Sequence, residues 1–273
     1  MSGFRAVLFD FYGTLTTAVG RGEAHADIAR WLGCTPSALN AELDRTFLVR
    51  ARGGYGSPVD ALRRVAHDAG GRPDDRRVAA AVAARVAAIR ADTRLRDEAV
   101  PVLTELRRRG VLSGLVSDCC HELPMFLPTL PVAPLLSTCV YSIEVGACKP
   151  DPRMYRAACE RLGVRPRDCL YVGDGGSQEL SGAEAVGMTA VRLAASDLAG
   201  HLQFNAETGW TGPDIGSLAD SLALLGRLVR PSRARLTTAR WADAGSRSDR
   251  AAAGRSRRRR TANRLRHGPP TPR

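Results

Sequence analysis

The chain has 273 residues, 44% of them hydrophobic, and a formal net charge of +12, enough length for one α/β domain plus a further unit. No run of 18 apolar residues occurs and the first strand begins almost at once, so neither a membrane-spanning helix nor a signal peptide is expected. Seven irregularly spaced cysteines, with Cys119 and Cys120 adjacent and no CxxC pair, argue against a disulfide framework or a zinc site and favour a reducing cytoplasm.

Residues 4–9 read as a buried strand that delivers Asp10 into a turn at Gly13. Helical spacing follows over Glu23–Leu32, Pro36–Arg50, Pro58–Ala69 and Asp75–Ala91, with Pro or Asp at several starts and Gly at several ends. A further helix is predicted over Arg94–Arg109, closed by Gly110. The pattern then alternates: strand Val111–Val116, strand Thr138–Ser142, helix Asp151–Leu162, strand Asp168–Val172, helix Ser177–Val186 and strand Thr189–Leu193. Pro124, Pro128, Pro131 and Pro134 mark a rigid loop between the second and third strands. Alternating strands and helices predict a Rossmann-like parallel sheet with right-handed crossovers. Residues 1–16 and 93–229 would form that α/β core, and 17–92 an inserted all-helical domain.

The charge is unevenly placed. Residues 230–273 carry 14 arginines against Asp243 and Asp249, while the preceding 229 residues hold 26 basic and 26 acidic side chains and are neutral. This tail, rich in Arg, Ala, Ser, Gly and Pro, lacks hydrophobic periodicity and is expected to be disordered. Arg257–Arg260 offer non-specific attraction to phosphate backbones, with no aromatic or folded recognition element beside them. Of the 40 basic residues, Lys149 is the sole lysine. A compact ammonium in an otherwise arginine-only chain points to a task that a planar guanidinium cannot perform.

In an open parallel sheet, ligands collect beyond the carboxyl ends of the strands. Those ends here carry Asp10 and Thr14, Ser117 and Asp118, and Asp174, with Lys149 opening the helix that follows the third strand. Each alone has a structural explanation as a cap or a surface charge. Together they place a nucleophilic acid, two hydroxyls, a second acid and the sole lysine on one edge.

The four segments Asp10–Thr16 (DFYGTLT), Leu115–Asp118 (LVSD), Lys149–Pro152 (KPDP) and Val172–Glu179 (VGDGGSQE) resemble, in order and separation, the motifs of the haloacid dehalogenase superfamily of hydrolases. The helical insertion lies where that family carries its C1-type cap. The resemblance implies an aspartyl intermediate at Asp10, with Lys149 neutralising it and Thr14, Ser117 and Asp118 helping to bind the transferring group. It implies Mg²⁺ held by Asp10, Asp174 and the backbone carbonyl of Tyr12, with Glu179 orienting metal-bound water. Three carboxylates beside a substrate dianion need a cation, and Mg²⁺ prefers such oxygen ligands. The expected substrate is a small phosphorylated metabolite.

Tyr12 departs from the family's phosphatases, which typically carry an aspartate there as proton carrier. Loss of a positioned acid–base group costs roughly 10²–10⁴ in rate, unless Asp118, His121 or a residue of the helical domain takes over. The segment D-x-Y-G-T also resembles the family's metal-independent 2-haloacid dehalogenases, as does Tyr155, but those carry serine and asparagine where this chain has Asp174 and Gly176. The acidic fourth segment favours Mg²⁺-dependent phosphoryl transfer. Dehalogenation, and a slow core with an anion-binding tail, are the alternatives.

Overall fold

The computed structural model describes residues 3–199, 201 and 203–225. The arginine-rich segment 230–273 lies outside the described residues. Six parallel strands, β1 (Ala6–Phe9), β2 (Leu112–Ser117), β3 (Thr138–Tyr141), β4 (Cys169–Gly173), β5 (Thr189–Leu193) and β6 (Asp214–Ile215), form one sheet in the order β3-β2-β1-β4-β5-β6. The fold is Rossmann-like α/β, as the alternating pattern predicts. Strand β6 is a two-residue addition that carries too few residues to leave a period.

The central strands are apolar on both faces because helices cover both. Val7, Phe9, Leu115 and Val172 face one cluster with α6 (Ala99–Arg108) and α7 (Glu122–Phe126). Ala6, Leu8, Val116 and Tyr171 face a second with α9 (Pro152–Leu162) and α10 (Glu179–Ala185). This is the signature of a sheet buried on both sides.

Between β1 and β2 lie α1 (Glu23–Trp31), α2 (Pro36–Arg45), α3 (Phe47–Ala51), α4 (Pro58–Asp68) and α5 (Asp75–Asp92). They enclose a third cluster including Ile28, Leu32, Leu39, Leu43, Leu62, Val65 and Val78. Side-chain caps at Thr35, Ser57 and Asp74 start α2, α4 and α5. The chain enters and leaves this helical unit side by side: Thr17 N donates to Arg94 O and Arg96 N to Leu15 O, both at 3.0 Å.

The helix expected over Pro36–Arg50 is broken at Thr46, whose Oγ1 bonds the Glu42 carbonyl at 2.7 Å. That competing bond bends the chain between α2 and α3. The helix expected from Arg94 begins only at Ala99, because Leu95 instead bridges to Thr16. The proline-marked loop contains the short helix α7 and two further single turns, and the single-turn helix α8 (Ser142–Val145) follows β3. Prolines at early turn positions start helices as well as loops.

Gly182 on α10 packs against the segment carrying Lys149. A Cβ there would stand 2.5 Å from Tyr155 Oη and 2.7 Å from Pro150 Cβ. Gly182→Ala is therefore expected to cost about 1–3 kcal/mol of unfolding free energy, the usual range for overpacking. Urea denaturation of the purified variant measures this, and an unchanged midpoint would contradict the close packing.

Candidate active site

β1 and β4 are hydrogen-bonded neighbours, and the strand order reverses direction between them. A crevice forms at such a switch point. Asp10 follows β1 and Asp174 follows β4, so adjacent strands deliver both carboxylates to the same place. Oxygens of Asp10, Asp174 and Glu179 lie within 4.8 Å of one another, all three side chains buried.

Lys149 binds this cluster. Its Nζ donates to Asp10 Oδ1 and to Glu179 Oε2, each at 2.6 Å, and stands 3.4 Å from Tyr171 Oη. Tyr171 Oη donates to the same Glu179 oxygen at 2.8 Å, and Gly175 N to Glu179 Oε1 at 3.0 Å. Both Glu179 oxygens are thus taken by protein donors. The glutamate is the counter-ion of Lys149, a more direct engagement than the water-orienting role implied by the resemblance.

Burial pushes the Asp10 carboxyl up to about 6, with Lys149 opposing and Asp174 reinforcing the shift. Burial also raises Glu179, against the opposing pull of Lys149. Burial disfavours the Lys149 charge, but Asp10 and Glu179 outweigh it and hold the ammonium well above its usual value. Asp118 accepts from Lys149 N through Oδ1 at 3.0 Å and is raised by burial.

Three buried oxygens, Thr14 Oγ1, Ser117 Oγ and Asp118 Oδ2, have no hydrogen-bond partner among the described residues. Unpaired buried polar atoms cost free energy unless a ligand satisfies them. Asp10, Tyr12, Asp118, Lys149, Asp174 and Glu179 line one cavity of about 210 Å³ between the sheet edge and the helical unit. His121 lies outside it, its ring nitrogen 3.0 Å from Gly56 O. Tyr155 is buried, donates to Glu179 O at 2.9 Å and does not line the cavity. Burial lifts the Tyr12 phenol well above 10, so it stays protonated.

The loop that turns at Gly13 is fixed from two sides. Gly13 has φ +81°, and a Cβ there would fall 2.6 Å from Asp174 Oδ2 and 2.8 Å from His201 Nε2. Only glycine fits both demands. Arg96 donates to Thr14 O and Gly13 O at 3.0 Å each and pairs with Asp197 at 2.8 Å.

Further residues arrive from the segment after β5. Gln203 Nε2 donates to Asp174 Oδ2 at 2.8 Å, His201 Nε2 stands 3.6 Å from the same oxygen, and Phe204 stacks on Phe47 of α3 at 4.2 Å. The sequence marks none of the four residues Arg96, His201, Gln203 and Phe204. Arg96 is one arginine among 39, and residues 201–204 follow a strand without any turn or period signal.

The donor set suits a hard divalent cation. Asp10 and Asp174 offer carboxylate oxygens facing a crevice, and their mutual repulsion is visible in the raised Asp10. Asp10, Asp118, Asp174 and Glu179 set four formal negative charges against the one of Lys149, before any anionic substrate enters.

The profile of the haloacid dehalogenase-like hydrolases matches residues 4–187. Among curated relatives, a glyceraldehyde 3-phosphate phosphatase of Methanopyrus kandleri is 34% identical over 133 residues, 48% of this chain and 55% of its own. A phosphoserine phosphatase of Thermus thermophilus is 35% identical over 131 residues, 48% of this chain and 51% of its own. An (S)-2-haloacid dehalogenase 4A of Burkholderia cepacia is 31% identical over 97 residues, 35% and 42% of the two chains. The chain spans about half the length of the curated relatives it matches. A dehalogenase crystal structure superposes with a TM-score of 0.56 at 22% identity, covering 82% of this chain and 98% of the other. A HAD phosphatase from Thermococcus onnurineus gives 0.53 at 23%, covering 81% and 98%. These likenesses show the fold. The chain belongs to the haloacid dehalogenase-like hydrolases, and no helix among the described residues is long and apolar enough to cross a membrane.

The raised Asp10 fixes the sign of a pH effect. Its carboxyl is about 3.8 when unfolded and about 6 when folded. The associated stability is full below pH 4 and is lost as pH rises through 6. In EDTA, wild type should lose up to about 3 kcal/mol relative to Asp10→Asn between pH 4 and 7. Urea unfolding of both proteins across that range checks this, and millimolar Mg²⁺ should shrink the loss. A difference independent of pH would mean Asp10 is not held in a repulsive, dehydrated site.

Proposed function

We propose that the chain is a Mg²⁺-dependent phosphatase of a small phosphorylated metabolite, working through an aspartyl-phosphate at Asp10. The acidic trio at the switch point carries this reading. Asp10, Asp174 and Glu179 within 4.8 Å of one another, with one lysine among them, leave a charge deficit that a divalent cation fills. Phosphatases among the relatives support it; dehalogenases among them keep the second reading in view.

In this scheme Lys149 neutralises the Asp10 carboxylate, and one Asp10 oxygen attacks phosphorus as the bond to the leaving alkoxide breaks. Splitting the hydrolysis in two makes each step easier. The unpartnered hydroxyls of Thr14 and Ser117 donate to the phosphoryl oxygens, an electrostatic stabilisation that the buried setting strengthens. Asp10 and Asp174 would hold Mg²⁺, together with the Tyr12 carbonyl, and the ion would neutralise charge on the transferring group. Glu179 acts through Lys149. The helical unit 17–92 serves as a cap that closes the cavity against water.

Proton delivery falls to Asp118. Its Oδ2 is buried, unpartnered and on the cavity, and burial keeps a larger protonated fraction near neutrality than an exposed aspartate has. Tyr12, protonated throughout, can donate a hydrogen bond but cannot activate water in the second step.

A second reading, metal-independent release of halide from a 2-haloacid, draws on Tyr12 at the cavity wall. Chloride release from 2-chloropropionate in EDTA would establish it. For the phosphatase, a panel of phosphate esters assayed with and without Mg²⁺ should show turnover only with the metal and none for Asp10→Asn. Because Asp118 carries the proton in this scheme, Asp118→Asn should lower the rate on alkyl phosphates by about 10²-fold, the low end of what a positioned acid–base group supplies, while Tyr12→Asp should change it little. Absence of metal-dependent turnover on any ester by the folded protein would overturn the proposal.

A further inference from the structure

The cavity reaches beyond the acidic cluster into the helical unit, where one buried cation stands apart from the carboxylates. Two arginines and one imidazole on that side have carboxylate partners. Arg21 pairs with Asp44, His25 Nε2 lies 2.9 Å from Asp92, and Arg85 donates Nε and Nη2 to Glu122 Oε1 at 3.1 and 2.9 Å. Arg50 is different. It is only 8% exposed, yet among the described residues no carboxylate lies within salt-bridge distance. Nε donates to Thr46 Oγ1 at 3.1 Å, Nη2 to Leu43 O at 2.7 Å, and Nη1 to Cys120 Sγ at 3.0 Å.

All three acceptors are neutral. The Cys120 thiol is pushed up to about 12 by burial, and sulfur is a weak acceptor in any case. Glu122 feels Arg50 only at longer range and is committed to Arg85, so Arg50, Arg85 and Glu122 together hold a net charge of +1. A buried charge without an anion is expensive. Arg50 and Cys120 both line the cavity, and Cys120 is two residues beyond Asp118.

We propose that Arg50 is the receptor for a second anionic group of the substrate, a carboxylate or second phosphate, remote from the phosphoryl group held at Asp10. The inference rests on the phosphoryl-transfer reading and deepens it. The substrate class becomes small phosphate esters with an anionic tail. The cavity volume of about 210 Å³ is below the roughly 300–1,000 Å³ of pockets for drug-sized ligands, which limits the tail to a few atoms. A planar fork whose Nη1 faces only a thiol suits a carboxylate or phosphate oxygen.

Calorimetric titration with non-hydrolysable phosphonates tests this on the full chain with Mg²⁺. Wild type should bind 3-phosphonopropionate at least tenfold more tightly than propylphosphonate, which lacks the distal charge. Arg50→Gln should reduce that preference to within about twofold. Propane-1,3-diphosphonate separates the two anion types: the tighter of the two charged ligands identifies the tail. Because Arg50 also ties α2 to α3, a second variant leaves it in place. Cys120→Asp supplies an internal carboxylate beside Nη1 and should abolish the preference while raising the melting temperature. Binding of both phosphonates without discrimination in wild type, or a preference that survives both variants, overturns the inference alone. Binding of neither by the folded protein overturns the phosphoryl reading and this inference with it.

Discussion

The ion triplet at Lys149 is the constraint from which the rest of the site follows. One Nζ holds Asp10 and Glu179 at 2.6 Å each, and the three groups come from β1, the segment before α9 and the start of α10. A guanidinium would present five donors spread over a rigid plane and could not place both carboxylates around a single nitrogen. The arginine-rich composition makes the substitution easy to see: at this position alone the chain keeps a lysine. Tyr171 and Gly175 complete the shell of Glu179, so the triplet is satisfied on the Glu179 side. On the side that faces the cavity, Asp10 stays raised by burial, with Asp174 reinforcing the shift.

Sheet topology makes this arrangement possible. Reversal of strand order between β1 and β4 brings two loop starts together without any special sequence, and the Gly13 turn then lets Asp174 approach the backbone. The segment after β5 adds a further layer. Asp197 anchors Arg96, which clamps the Gly13–Thr14 carbonyls, while Gln203 holds Asp174 and Phe204 lies on Phe47. Core, turn and helical unit are therefore joined through one stretch that contributes little regular structure. Its value lies in positioning, because a carboxylate that drifts by an ångström loses much of its catalytic effect.

What could be read from the sequence divides along physical lines. The strands and most helices were legible because burial imposes a period on them, and the edge residues Asp10, Ser117, Asp118 and Asp174 follow from where those strands end. Lys149 stood out by composition. Thr46 hid the break between α2 and α3 because its bond to the Glu42 carbonyl is a local competition that leaves the apolar spacing intact. Arg96, Gln203 and Phe204 were not legible: each acts through a contact with residues far away in the chain, and nothing nearby in sequence encodes it. Glu179 lies in the fourth segment, but its pairing with Lys149 follows only from the geometry it shares with Tyr171 and Gly175.

The cavity's two ends also explain one another. The sheet edge carries an excess of negative charge, which repels an anionic substrate unless a cation intervenes. If Arg50 receives the far end of a doubly anionic ligand, as proposed, that balance changes, because Mg²⁺ and Lys149 would receive the near end. Such a division has a kinetic consequence. Binding energy gathered at Arg50, away from the reacting atoms, can be spent on holding the phosphoryl group in line with Asp10. On the proposed phosphoryl-transfer reading, a chain with Tyr12 in place of the usual proton carrier would gain most from that arrangement. On that reading, orientation and charge placement would supply more of the rate where position 12 offers no acid–base assistance, and Arg50, which has no carboxylate partner among the described residues, would contribute to both.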